Sequence, residues 1–247
     1  MNRLAACATT GAPAIELIHK RSLPHWYVSG AAHFVTYRLA GSLPVAVVHD
    51  LNKRRDQLLA KPTDRPPGEY RSHVNRLLFV AYEKYLDQLS NLDWLRNPRI
   101  ASMLRENLYH HDESKCHLHA YCVMPNHVHV LLTPTPVEVS PSLDADAEMV
   151  VGERADAVSP LSKIMHSLKS YTANKANRVL KRTGTFWQPE SYDHWARNDD
   201  ELERITNYIR ANPVTAGLVS RHEDWPWCSC HDRFLIDGDT TAWLPTT

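Results

Sequence analysis

The sequence predicts an α+β fold, and three observations carry that expectation. Two β-rich runs, Lys115 to Val123 and His127 to Thr133, stand on either side of Met124-Pro125-Asn126 and read as an antiparallel hairpin. A third run, His33 to Leu39, is rich in aromatic and β-branched residues. Around them lie stretches with apolar residues at helical spacing, the longest from Leu161 to Lys181.

The first 24 residues lack sustained periodicity and read as an irregular arm. Gly41-Ser42-Leu43-Pro44 closes the first strand, and Val45 to Ala60 follows as a helix with Lys53, Arg54 and Arg55 on its outer side. Lys61 to Tyr70 holds three prolines and a glycine, which makes it a loop. Helices over Ser72 to Leu89 and Pro98 to His110 are separated by a turn at Asn91 to Asn97. Pro134 to Pro160 carries four prolines and six acidic residues against Arg154 alone, so residues 134–159 read as a flexible acidic insertion. Ser159 can cap the helix that follows, Pro160 suits its first turn, and Gly184 stops it. A last helix spans Asp199 to Ala211, with three acidic residues in its first turn and Asn212-Pro213 at its end. Trp225-Pro226-Trp227 reads as an aromatic anchor. The expected division is an arm over 1–24, a main domain over 25–183, and an extension over 184–247 packed on the same domain.

Composition narrows the function classes. The 247 residues include 28 Lys+Arg, 28 Asp+Glu, 8 Gly and 5 Cys, with 43% apolar, which disfavours disorder, collagen and a disulfide scaffold. An odd number of irregularly spaced cysteines fits reduced thiols and a cytoplasmic location, and Cys228-Ser-Cys230-His231 reads as packing rather than a zinc site. No apolar run approaches the roughly 18 residues that span a bilayer, so no membrane partner is expected. Leu4-Ala5-Ala6-Cys7 lacks the apolar stretch of a lipoprotein signal before it. A net charge of zero argues against a nucleic-acid partner only if charge is spread evenly. It is not: Pro160 to Gly184 has six basic residues and no acidic one, beside an insertion of opposite sign.

His127-Val128-His129 carries the chemistry. Side chains two apart on a strand share a face, so both imidazoles project together and can hold one divalent ion if a third ligand arrives from elsewhere. With Met124, Pro125 and Asn126 as the loop, Val123 lies opposite His127, Tyr121 opposite His129 and His119 opposite Leu131, which puts His119 on the histidine face. The basic helix contributes Lys163, Lys169, Lys175, Arg178, Lys181 and Arg182 as phosphate contacts. On a wheel of about 100° per residue, Tyr171 falls at the edge of the helix's apolar stripe, where it can pack its ring and present its hydroxyl. A phenol with a pKa of about 10 needs nearby cations and a metal-polarised phosphate to act as a nucleophile at neutral pH.

Four ordered motifs then resemble a known family. They are Tyr121-Cys-Val-Met-Pro-Asn-His-Val-His-Val-Leu-Leu, Ser167-Leu-Lys-Ser-Tyr-Thr-Ala, Phe186-Trp-Gln-Pro-Glu, and Tyr208-Ile-Arg-Ala-Asn-Pro-Val-Thr-Ala-Gly-Leu. Over roughly His25 to Trp227 the chain resembles the REP-associated tyrosine transposases, single-tyrosine HUH nucleases of the insertion-sequence-200-like branch. The resemblance implies an antiparallel sheet flanked by helices, with a ferredoxin-like core. It implies cleavage and strand transfer of single-stranded DNA beside a hairpin, through a 5′-phosphotyrosine, with Mg²⁺ or Mn²⁺. Matched by residue, His127 and His129 are the metal ligands and Tyr171 the nucleophile. Relatives commonly place a Gln or Asn one turn after the tyrosine as third ligand. Lys175 stands there, which leaves Asn174, Gln188 or Glu190 for that role. Both a monomer and a homodimer fit the family. A transposase-derived protein that binds hairpins without cutting, and a phosphohydrolase in which Tyr171 only packs, are the rival expectations.

Overall fold

The three predicted strands meet in one sheet. A computed structural model describes residues 16–20, 24–89, 92–135 and 158–231. Its first strands, β1 (Glu16–Lys20) and β2 (Pro24–Val28), pair antiparallel as a two-stranded ribbon. Within the irregular arm expected of residues 1–24, residues 16–20 and Pro24 are strand instead, because Leu17-Ile18 and Trp26-Tyr27-Val28 are short β-forming runs that satisfy each other's backbone groups, while residues 1–15 and 21–23 lie outside the described residues. Then come β3 (His33–Arg38), α1 (Val45–Leu59), α2 (Pro67–Leu89), α3 (Pro98–His111), β4 (Cys116–Val123), β5 (His127–Pro134), α4 (Pro160–Val179), β6 (Tyr192–Trp195) and α5 (Asp199–Thr215). The second sheet is antiparallel, in the order β4-β5-β3-β6. With α3 and α4 as its crossovers, the path β3-α3-β4-β5-α4-β6 is the ferredoxin-like arrangement. Most of the expected acidic insertion, residues 136–157, lies outside the described residues.

Alternation along β5 sorts the helices into two layers. Val128, Val130 and Leu132 share one core with Ile100, Leu104 and Leu108 of α3 and Leu161, Ile164 and Leu168 of α4. Phe34 of β3 and Leu131 of β5 face the other way, into a core with Phe79 of α2 and Ile209 of α5. His127 and His129 have the parity of Leu131, so they point toward α2 and α5. Ser159 caps α4 as expected, its hydroxyl accepting from Ser162 N at 3.1 Å.

Two local readings change. The hairpin pairs Val123 with Val128, Cys122 with His129 and Tyr121 with Val130. This is one residue out from the expected register, because Met124 N donates to His127 O and closes a loop that takes in His127. A register shift between Leu118 and Ala120 leaves His119 outside the ladder, bonded to Thr133 Oγ1 at 2.8 Å. It is a structural histidine two rows from His129. The second change is at the end of α5, which runs through Asn212-Pro213 to Thr215. Pro213 sits in the last turn, and Gly217 (φ +68°) supplies the left-handed stop while Leu218 N bonds to Pro213 O at 2.9 Å. Asn212 therefore stands on the helix, one turn beyond Tyr208.

The aromatic anchor docks on the hairpin. Trp225 Nε1 donates to Val123 O at 2.9 Å, Val123 N donates to Trp227 O at 2.8 Å, and Arg105 lies 5.3 Å from the Trp227 ring. Cys228 and Cys230 are buried beside Ile209 in the α5 layer, as packing residues.

Candidate active site

The two imidazoles converge. Thr36 Oγ1 lies 2.8 Å from His129 Nδ1, and Asn126 Oδ1 holds His127 Nδ1 while its own Nδ2 donates to Leu86 O at 2.7 Å. With each Nδ1 occupied, both Nε2 atoms turn inward and come within 3.0 Å of each other. Both side chains are buried. Glu83 of α2 completes the group: its Oε2 is 3.0 Å from His129 Nε2 and 3.8 Å from His127 Nε2. Sequence reasoning missed this carboxylate, because a lone glutamate in an amphipathic helix carries no signal of what faces it.

A fourth side chain, Tyr208 and not Tyr171, contacts this group. Tyr208 of α5 donates its hydroxyl to Glu83 Oε2 at 2.7 Å, and its ring centroid is 5.5 Å from that of His129. The Asn212 side chain lies beside that of Tyr208, and Asn212 Oδ1 is buried with no hydrogen-bond partner among the described residues. Glu83 Oε1 is likewise buried and unsatisfied among the described residues. A signal for this pair was present in the sequence: Tyr208-Ile-Arg-Ala-Asn212 has the amide at i+4, the spacing that Lys175 breaks after Tyr171.

Electrostatics at the site are tightly linked. Burial by itself raises the Glu83 carboxyl, but the charge and hydrogen bond of His129, with His127 and Tyr208, outweigh it and hold it at about 2. Burial and the neighbouring His129 push His127 down to about 3 against the pull of Glu83. The Tyr208 phenol is raised far above its ordinary value, by burial first and then by the Glu83 charge. Asp87, one turn beyond Glu83, is raised to about 6 by burial and the same carboxylate.

The donor set fits a divalent cation. Glu83, His127 and His129 each offer a ligand atom within 4.8 Å of the others, and the free Glu83 Oε1 and Asn212 Oδ1 are buried oxygens in need of a partner.

The remaining candidates lie elsewhere. Tyr171 is 47% exposed on α4, the helix against the Val128 face, with Lys175 Nζ 5.7 Å from its ring centroid. Asn174 Nδ2 bonds back to Ser170 O at 3.0 Å on the exposed side of the same helix. Gln188 and Glu190 border a cavity of about 220 Å³ that also touches Thr36 and Glu83, and Glu190 is not among the three grouped donors. Of the cationic residues, Lys169 Nζ donates to Gln188 O and Pro189 O at 2.7 and 2.8 Å, and Arg182 lies 4.0 Å from the Trp94 ring centroid. Lys163 and Arg178 lie on α4, which packs on the opposite side of the sheet from the histidines, and Lys181 follows its end.

Comparison with known proteins agrees with the motifs. A protein of Haemophilus influenzae named REP-associated tyrosine transposase is 30% identical over 112 residues, 45% of this chain and 57% of that protein. One from Escherichia coli with the same name is 38% identical over 45 residues, 18% of this chain and 27% of that protein. The chain is similar in sequence to both of these proteins. It spans little more than half the length of the first of these relatives and about a quarter of the second. A solved structure of a REP-associated tyrosine transposase bound to a REP hairpin aligns over 86% of this chain and 84% of its own, at 18% identity and a TM-score of 0.41. No family model matches the chain. Among the described residues no helix is long and apolar enough to cross a membrane.

Proposed function

We propose that this relative of the REP-associated tyrosine transposases cleaves and rejoins single-stranded DNA beside a hairpin, with Tyr208 as the nucleophile. The observation that carries the reading is the 2.7 Å hydrogen bond from the Tyr208 hydroxyl to a carboxylate that also faces both imidazoles. Tyr208 Oη attacks the scissile phosphorus and passes its proton to Glu83 Oε2. The deoxyribose 3′-oxygen leaves and takes up a proton, so one phosphate ester replaces another and the bond energy is kept for rejoining. His127 and His129, with Glu83 or Asn212, would hold Mg²⁺ or Mn²⁺, which when bound would supply polarisation of the phosphate and offset the carboxylate charge that keeps the phenol protonated.

The test is a trapped adduct. Incubated with Mn²⁺ and a hairpin-bearing single strand, the wild-type protein and Tyr171→Phe form a covalent protein–DNA band on a denaturing gel, and Tyr208→Phe forms none. A Tyr208→Phe protein that forms the band at the wild-type rate overturns the assignment.

A further inference from the structure

Four sulfur atoms meet beside the helix that carries Tyr208, and none takes part in the proposed cleavage. Cys122 and Met124 come from the hairpin, with Sγ and Sδ 3.6 Å apart, and Cys228 and Cys230 from the segment that docks on it. The backbone brings the last two together. Val123 N donates to Trp227 O at 2.8 Å and Ser229 N to Tyr121 O at 2.9 Å, which sets Cys228 against Cys122 on β4. His231 N then donates to Cys228 O at 3.0 Å, and this turn folds Cys230 back until its Sγ is 3.2 Å from Cys228 Sγ. At that separation side-chain rotation alone can join the sulfurs, without moving the backbone.

Both thiols also serve α5. Pro213 has no N–H to offer the Ile209 carbonyl four residues earlier, and the Cys228 thiol donates to that oxygen at 3.9 Å. Cys230 Sγ stands 3.9 Å from the next carbonyl, Arg210 O, and 3.3 Å from His222 O. The two S–H groups therefore tie the turn of α5 between Tyr208 and Asn212 to the docked segment. Ile209 and Cys228 are fully buried, so a carbonyl that loses its donor there has no water to replace it.

We infer that Cys228 and Cys230 are an oxidisable pair, which a hydroperoxide converts to a disulfide and a thiol reductant restores, and that oxidation loosens the Tyr208 turn of α5 and slows strand cleavage. The effect on cleavage rests on the reading of Tyr208 as the nucleophile, and the disulfide does not. Cys230 reacts first, being 3% exposed against 0% for Cys228. Its sulfur bonds to one peroxide oxygen, the O–O bond breaks, and the other oxygen leaves with the thiol proton as water or an alcohol. Cys228 sulfur then displaces the sulfenic oxygen, which departs as water with the second proton. The two thiols lose two electrons and two protons, and the peroxide gains them. Hydrogen bonding with Cys122 raises the Cys228 thiol, hydrogen bonding with Cys228 raises that of Cys230, and burial adds to both. Little thiolate is present at neutral pH, so the pair answers sustained oxidant rather than a brief pulse.

The experiment treats the full chain with hydrogen peroxide, removes the oxidant, and divides the sample between alkylation with tryptic mass spectrometry and the Mn²⁺ adduct assay. Both cysteines fall in the peptide His222–Arg233, which is expected to be two hydrogens lighter and closed to alkylation, and to reopen after dithiothreitol. Oxidation lowers the rate of adduct formation about tenfold, the scale of one orphaned carbonyl, and dithiothreitol restores it. Cys230→Ser holds the wild-type rate before and after peroxide, whereas Cys122→Ser responds as the wild type does. A peptide that stays open to alkylation, or a bond that joins Cys122 to Cys228 instead, overturns the inference. A disulfide with an unchanged adduct rate overturns its coupling to α5. Absence of any adduct in the reduced protein removes the functional reading and that coupling together, and the peptide still decides the disulfide.

Discussion

Asn212 and Asn174 are the same residue type at comparable helical spacing from a tyrosine, and their surroundings separate them. Asn174 spends its amide on the backbone carbonyl of Ser170 in solvent. Asn212 is buried, with its carbonyl oxygen unsatisfied beside Tyr208. A buried polar atom left unpaired costs about 1–3 kcal/mol, a cost that a bound cation removes. Asn212→Ala is therefore expected to weaken Mn²⁺ binding about tenfold in calorimetry, in line with losses seen when groups around a metal are removed. Asn174→Ala leaves it unchanged. Equal affinities in the two variants would exclude Asn212 from the site. Both asparagines were visible in the sequence, but their burial was not. It depends on α5 continuing through Pro213, against the usual reading of Asn-Pro as a helix end.

At the scale of elements, the strand pair and its histidines were legible because period-two alternation is a local property. The placement of helices was not. A long basic helix after a hairpin could lie on either face, and the apolar stripe of α4 is satisfied by the Val128 face, away from the imidazoles. What places Glu83 at the site is contact between segments forty residues apart, such as Asn126 Nδ2 to Leu86 O. Arg182, just after α4, has a structural task that can be measured. Arg182 stacks on Trp94 and donates to Asn177 Oδ1 at 2.8 Å. Arg182→Ala is expected to lower unfolding stability by about 0.5–2 kcal/mol in a urea titration, through loss of the ring contact and a charged hydrogen bond. Hairpin affinity should stay within about twofold. A loss of affinity with unchanged stability would return α4 to the DNA-binding surface.

For the whole molecule, the equality of 28 basic and 28 acidic residues hides the α4 face, since net charge carries no position. Buried histidines give a second whole-molecule property, its response to acid. Burial pushes His33 to about 4, against the Ala31 carbonyl and Asp193, and pushes His119 to about 4, with His117 adding to the effect. In the unfolded chain both titrate near 6.5. Above that pH they are neutral in either state and cost nothing. Between about 6.5 and 4 the unfolded chain binds protons that the folded chain refuses, so stability falls with pH through that window and levels off below it. Carboxylates held low, such as Glu83 at about 2, add their loss only below their unfolded value near 4.3, which separates the two effects. The melting temperature in chelator should thus fall steadily from pH 7 to pH 4.5. His119→Gln, which can keep a hydrogen bond to Thr133, should flatten that fall. A melting temperature constant across the window would show that these imidazoles accept protons in the folded protein.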